Sequence, residues 1–256
     1  MHRAAHAVVD GLAHPLRTVS RYRVTIGFVV VFVLWTLLLR HIYGLDGGDD
    51  AVDELGFGVP AFEEGRVWTL FTGIPFSASL GLVPQWPTIV GLALCEHVAR
   101  HWRTAFVFVA GHVVSVCVVS AALWLVRDVD QPWLHTLART VDNGSSIGGF
   151  AVLGAWTVSR TSRWRWWWRV GLSCYFPGLT LLSGHVYDVT HPIGWGVGIW
   201  LGEQLLPGLH DRTPLTPRQR GLGTTLAVVV GVLAGIWFGW TGGGNGGPFG
   251  WGPGHL

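Results

Sequence analysis

Seven separate stretches of this chain are apolar over lengths close to that of a bilayer-crossing helix: roughly residues 24–43, 76–95, 104–126, 145–159, 170–185, 190–207 and 222–240. The hydrocarbon core of a bilayer is about 30 Å thick, and about 20 mostly apolar residues of helix cross it. Charge content points the same way. Charged residues are 12% of the 256 and hydrophobic residues 50%, where a soluble domain carries roughly a quarter charged residues. That deficit excludes an ordinary cytosolic enzyme, a disordered chain and a nucleic-acid binder that reads phosphates. The first stretch follows an arginine-bearing N-terminus, as a signal peptide would. No small-residue cleavage site follows Leu39, however, and Arg40 and His41 close the run, so it reads as a retained helix. The expectation is an all-α polytopic membrane protein: a cytoplasmic segment 1–23, a membrane domain 24–240, and an exterior tail 241–256. The tail is too Gly-rich to bury a core and reads as disordered.

Every one of the 17 basic residues is arginine, a bias that fits a GC-rich bacterial genome. Thirteen fall in the N-terminus and in the second-to-third, fourth-to-fifth and sixth-to-seventh loops, while the opposite side holds only Arg40, Arg66, Arg127 and Arg139. Eleven of the 15 acids, among them Asp46, Glu63, Glu64, Asp142 and Asp188, lie on that opposite side. The positive-inside rule then predicts an integral protein of a bacterial plasma membrane, with its N-terminus cytoplasmic and its C-terminus outside. The run Arg163–Arg169, which alternates Arg and Trp, reads as an aromatic belt with positive-inside anchoring rather than as a headgroup site. The link Asp46–Arg66 is too long for a simple connection, and the aromatic stretch Phe62–Phe71 at its end suits the outer interface. Cys95, Cys117 and Cys174 are odd in number and scattered, so they read as small hydrophobes rather than a disulfide framework.

Polar groups within spans are costly and are functional candidates by default. Two stretches stand out, Asp142–Gly154 and His185–Gly198. From Ser146 to Ser159 is 14 residues, and from His191 to Leu206 is 16, or about 21 Å and 24 Å of helix. Anchored at the cytoplasmic interface of a core about 30 Å thick, these helices set both side chains at similar depth, some 6–9 Å under the outer surface. A hydroxyl and an imidazole so placed can form a nucleophile–base pair. Gly148, Gly149 and Gly154 on one helix, and Gly194, Gly198 and Gly202 on the other, allow the close helix approach that such a bond needs. A serine at a helix start is more often a cap, and its pairing with His191 is what outweighs that reading.

These residues resemble the rhomboid family of intramembrane serine proteases. Gly144-Ser145-Ser146 matches the first three positions of the family's Gly-x-Ser-Gly, and His191, Gly194 and Gly198 match its His-x-x-Gly-x-x-x-Gly. Phe150 falls where the family places an aromatic ring against the histidine, Trp68–Thr72 resembles its Trp-Arg-x-x-Thr loop, and Glu96 resembles the glutamate ending its second helix. The resemblance covers about 66–207. It implies a six-helix core plus a C-terminal seventh helix, with Ser146 as nucleophile, His191 as base, and Gly144, Ser145, Phe150, Gly194 and Gly198 in support. It implies no cofactor and no metal. Its partners would be transmembrane protein substrates or clients and the lipid bilayer, with no nucleic acid. Three positions depart from the pattern. Ile147 replaces the glycine after the nucleophile, Thr69 replaces the loop arginine, and the second helix lacks the family's oxyanion-holding His and Asn, with Leu80, Pro84 and Gln85 nearest.

Two functions stay open: a Ser-His protease, or a pseudoprotease that binds membrane-protein clients. A metal site at His185, Asp188 and His191 has helical spacing but no fourth ligand in view. Glu63-Glu64 lacks the following arginine of the prenyl-protein proteases. His112 reads as bonded to a neighbouring helix carbonyl, and Glu203 as neutralised by Arg212 or solvent.

Overall fold

The computed structural model describes residues 20–44, 48–76, 85–130, 138–160, 164–172 and 187–206. Those residues are helical, with no strand among them; an isolated antiparallel bridge joins Phe57 to Asp142. The helices are α1 (Arg23–Tyr43), α2 (Gly48–Leu55), α3 (Val59–Glu63), α4 (Thr69–Thr72), α5 (Trp86–Val98), α6 (His101–Val126), α7 (Ser146–Val158), α8 (164–172) and α9 (Tyr187–Leu205). By length and composition α1 and α6 are apolar enough to cross a membrane, and α7 and most of α5 are shorter apolar helices.

Helix α7 is the centre of the molecule. Every residue from Ile147 to Val158 is buried, as expected of a helix apolar all round, and α5, α6 and α9 enclose it. Glycines set how closely they approach. A Cβ at Gly194 would lie 2.8 Å from the Ile147 carbonyl oxygen, one at Gly202 would lie 2.7 Å from Ala155 Cα, and one at Gly198 would fall on the Ala151 carbonyl. The partners advance together along both helices, so α7 and α9 run parallel. On the other flank a Cβ at Gly91 would lie 2.7 Å from the Gly149 carbonyl oxygen. These are backbone-to-backbone contacts of the kind small residues permit in membrane bundles.

At the start of α1 the backbone N–H groups have no helical acceptor, and the Glu96 carboxylate supplies one. It accepts from the Val24 and Thr25 amides at 2.9 and 3.0 Å and from the Thr25 hydroxyl at 2.9 Å, with His101 Nδ1 2.8 Å away. A negative charge is favoured at a helix N-terminus, so one buried side chain at the end of α5 fixes where α1 begins. Helix α1 ends at Gly44, whose φ of 83° is the left-handed conformation that glycine adopts freely.

Several boundaries differ from those expected. The second helix begins at Trp86 rather than 76, with Pro87 in its first turn, where proline's missing N–H costs nothing. The third begins three residues early, at His101, and the sixth is already helical at Tyr187, the first residue described there. Residues 164–172, expected as an interfacial belt leading into a span at 170, are helical from 164. The rest of that span, the expected seventh helix 222–240, Cys174, residues 1–19 and the tail 241–256 lie outside the described residues. The long link after α1 is folded: Phe57 and Ala61 are buried, and Arg66 Nη1 donates to the carbonyls of Asp53 and Glu54, both at 2.8 Å. Cys95 is buried as expected, whereas Cys117 is exposed, and both are free thiols.

Candidate active site

Ser146 opens α7, and the turn before it is clamped by the folded link. Phe57 and Asp142 exchange backbone hydrogen bonds of 2.8 and 2.7 Å, and the Gly144 amide donates to the Gly73 carbonyl at 2.8 Å. Gly144 has φ of 115°, a conformation that side chains strain to adopt; this is the physical reason for a glycine two residues before Ser146. The turn delivers Ser145 inward and leaves Ser146 at the helix start, beside the amides that lack an intrahelical acceptor.

His191 comes from the first turns of α9. Its Nε2 lies 2.8 Å from Ser146 Oγ, so the hydroxyl donates to the ring in the tautomer protonated at Nδ1, a protonation state assigned from the contact. The imidazole also lies against Phe150, one turn along α7, with ring centroids 4.9 Å apart. The structure therefore brings together Ser146, His191 and Phe150, with Gly194 and Gly198 behind them as the close-approach positions. A nucleophile bonded to a base that is held by packing is the minimum for covalent acyl transfer.

Ile147 is buried in a cluster with Phe57 and Val116, and its Cγ2 also faces Gly194, so its side chain packs into the bundle.

What the sequence does not show is how Ser145 is bonded. Ser145 Oγ donates to Gln85 Oε1 and lies 2.9 Å from Thr88 Oγ1. A hydroxyl has one proton to give, so Thr88 donates where Ser145 accepts. Gln85, Thr88 and Ser145 are all buried. This network ties the start of α5 to the start of α7 directly beneath Ser146. With its oxygen taken by Ser145, the Gln85 amide keeps its NH₂ as the donor half. A buried amide just before the helix-opening Trp86-Pro87 was the available signal.

The remaining candidates are placed elsewhere. Thr69 is buried, and its hydroxyl donates to the Arg66 carbonyl at 2.6 Å, while Trp68 is exposed; they brace the link. Glu63 pairs with Arg127, and Glu64 pairs with Arg66 at 2.7 Å. His112 makes no hydrogen bond of good geometry to a helix carbonyl. It is wholly buried and edge-on to Phe57, with centroids 5.0 Å apart, beside the Leu70 backbone. Glu203 is paired by Arg169 at 2.7 Å, and Arg212 lies outside the described residues. His185 and the Asp188 side chain lie outside the described residues, among which no group of three His, Cys, Asp or Glu could hold a metal.

Compared with known proteins, the chain matches no family, no curated protein and no solved structure. Its function is therefore read from the site itself.

Proposed function

We propose that this protein is a rhomboid-like intramembrane serine protease, a seven-span bundle whose Ser146 and His191 cleave peptide bonds in or near transmembrane segments. The carrying observation is the 2.8 Å contact between Ser146 Oγ and His191 Nε2, between two helices held together by glycine contacts. In this reading Ser146 Oγ attacks the scissile carbonyl carbon while His191 takes the hydroxyl proton. His191 then gives that proton to the leaving amine, and water, activated by the same imidazole, hydrolyses the acyl-enzyme. The tetrahedral oxyanion needs donors. The free amides at the start of α7 supply them, together with that helix's positive end, and the Gln85 NH₂ is the side-chain donor nearest in role.

The membrane setting is supported by the apolar lengths of α1 and α6 and by the exposed Val30, Val31, Leu34, Leu37 and Leu38 on α1. Such a face suits lipid better than water. The arginine asymmetry places the Ser146 end outward. The second reading, a client-binding pseudoprotease, is favoured by one observation: no histidine or asparagine stands in α5 or at Gln85 to hold the oxyanion in the usual way, apart from His97 at its far end. Losing one such donor costs about 2.7–4 kcal/mol of transition-state stabilisation.

Labelling of the purified full chain by a fluorophosphonate tests the proposal. The expected result is labelling of the parent protein that disappears in Ser146→Ala and falls by about 10²–10⁴-fold in His191→Ala, the range attributed to a general base. A folded parent protein that takes no label, in detergent and in bilayers alike, excludes the protease and leaves the client-binding reading.

A further inference from the structure

At the end of the bundle away from Ser146, three linked arginines have one carboxylate nearby, which only Arg169 contacts, while the Arg160 guanidinium donates to Ser159 Oγ at 3.1 and 3.2 Å. Arg160 follows α7, with its guanidinium over the Trp156 ring at 4.7 Å from the centroid. Arg165 Nη2 donates to the Arg160 carbonyl at 3.1 Å, and Arg169 Nη2 donates to Glu203 at 2.7 Å. Glu203 is the only acid that pairs with these arginines among the described residues. Burial, and next the like charge of Arg169, lowers the affinity of the Arg165 guanidinium for its proton, while Glu203 acts in the opposite sense.

Hydrogen bonding is incomplete as well. Nε of Arg165, Nε of Arg169 and Nε1 of Trp167 are shielded from solvent and have no acceptor. Buried donors without an acceptor are costly to a fold. Aromatic-belt anchoring accounts for tryptophans and net charge; it does not account for guanidinium donors drawn together without acceptors. The same helix exposes Trp164, Trp166 and Trp168 at 40%, 61% and 38%, and indoles concentrate where headgroups meet acyl chains.

A contrasting Arg–Trp pair shows what is missing. Arg127 also lies over a ring, that of Trp124, at 4.8 Å, but Glu63 pairs with it and Asp128 lies 3.7 Å away. There the charge is balanced within the chain.

We propose that Arg165 and Arg169, on a helix that exposes Trp164, Trp166 and Trp168 and with Arg160 at the edge, form a binding site for the phosphate of an anionic phospholipid. A phosphodiester supplies the missing negative charge and several acceptor oxygens to planar donors suited to it. The lipid, rather than free phosphate, is indicated by the indoles and by the location on the arginine-rich side, which faces the anionic cytoplasmic leaflet. The site depends on the membrane reading but not on Ser146 being a nucleophile.

Native mass spectrometry of the full-length protein, released from detergent with phosphatidylglycerol or phosphatidylcholine, tests this directly. Phosphatidylglycerol adducts should survive where phosphatidylcholine adducts do not. Arg165→Gln with Arg169→Gln should cut phosphatidylglycerol retention about tenfold or more, since each basic side chain near a membrane surface is worth a sizeable part of a decade. Arg127→Gln should leave it unchanged. If the double variant misfolds, Trp166→Ala keeps the charges and should still weaken retention. Equal retention of the two lipids overturns the proposal, as does full retention by folded variants. Displacement of phosphatidylglycerol by millimolar inorganic phosphate would overturn the lipid assignment.

Discussion

The two ends of the α7–α9 pair are closed by contacts of opposite character. At the start, a serine and a histidine meet at 2.8 Å with Phe150 against the ring. Both side chains are short, so their meeting is fixed by where the two backbones run. At the far end the closure is Arg169 with Glu203 at 2.7 Å, reaching from α8 to α9 with side chains 27% and 45% exposed. Those long side chains can find each other over a range of helix positions. The comparison teaches that the reactive end depends on backbone spacing, set by glycine, whereas the charged end depends on side-chain reach and on the solvent or lipid around it.

The largest way to break the reactive end is therefore to thicken the helix contact. In Gly198→Val the added Cβ meets the Ala151 carbonyl, a backbone atom that cannot step aside. Overpacking costs about 1–3 kcal/mol and occasionally more, and the high end is expected here. Thermal unfolding in detergent should fall by several degrees, and fluorophosphonate labelling of Ser146 should be lost with it. Gly196→Ala, where a Cβ meets nothing within 4 Å, should change neither and serves as the control.

Next in size is Ile147. Read from sequence alone, Ile147→Gly should relieve crowding and speed cleavage. The structure revises that expectation, because the side chain packs on Phe57 and Val116. Truncation to alanine should cost about 2–5 kcal/mol, the range for buried large-to-alanine changes, and should leave labelling per folded molecule unaltered. An increase in labelling would mean that the isoleucine crowds the nucleophile after all.

Much of this was legible beforehand, and what was missed has physical reasons. The apolar runs locate most of the helices, since lipid-length hydrophobicity is a local property of the chain. The nearness of Ser146 to His191 follows from helix rise and glycine spacing. Ile147's orientation did not follow, because a helix buried on every side has no apolar stripe to phase it. Gln85 is visible in sequence as nearest the oxyanion positions, but its bond to Ser145 is not, because that partner is reached through tertiary packing. Helix α8 was read as a belt because tryptophan and arginine alternate there without a 3.6-residue period. That Arg169 reaches Glu203 does not follow from sequence either, because the two lie on different helices.

The smallest expected effect is the one that sharpens the comparison most. Glu203→Gln removes the charge from the far end while keeping the side chain's size and a polar tip. Because both partners of the Arg169–Glu203 pair are substantially exposed, its contribution to stability should be no more than about 0.2–1 kcal/mol. The difference from the parent protein should shrink further as salt rises, because exposed pairs are screened. Labelling of Ser146 should not change, since the glycine contacts that set its distance to His191 are untouched. Anionic lipid, by contrast, should be held more tightly, because the acid that pairs with Arg169 is gone. If Glu203→Gln instead lowered labelling as far as Gly198→Val does, the charged end would be setting the helix spacing at the reactive end. The two ends would then be one mechanical unit, and the separation between backbone-set and side-chain-set closure would have to be given up.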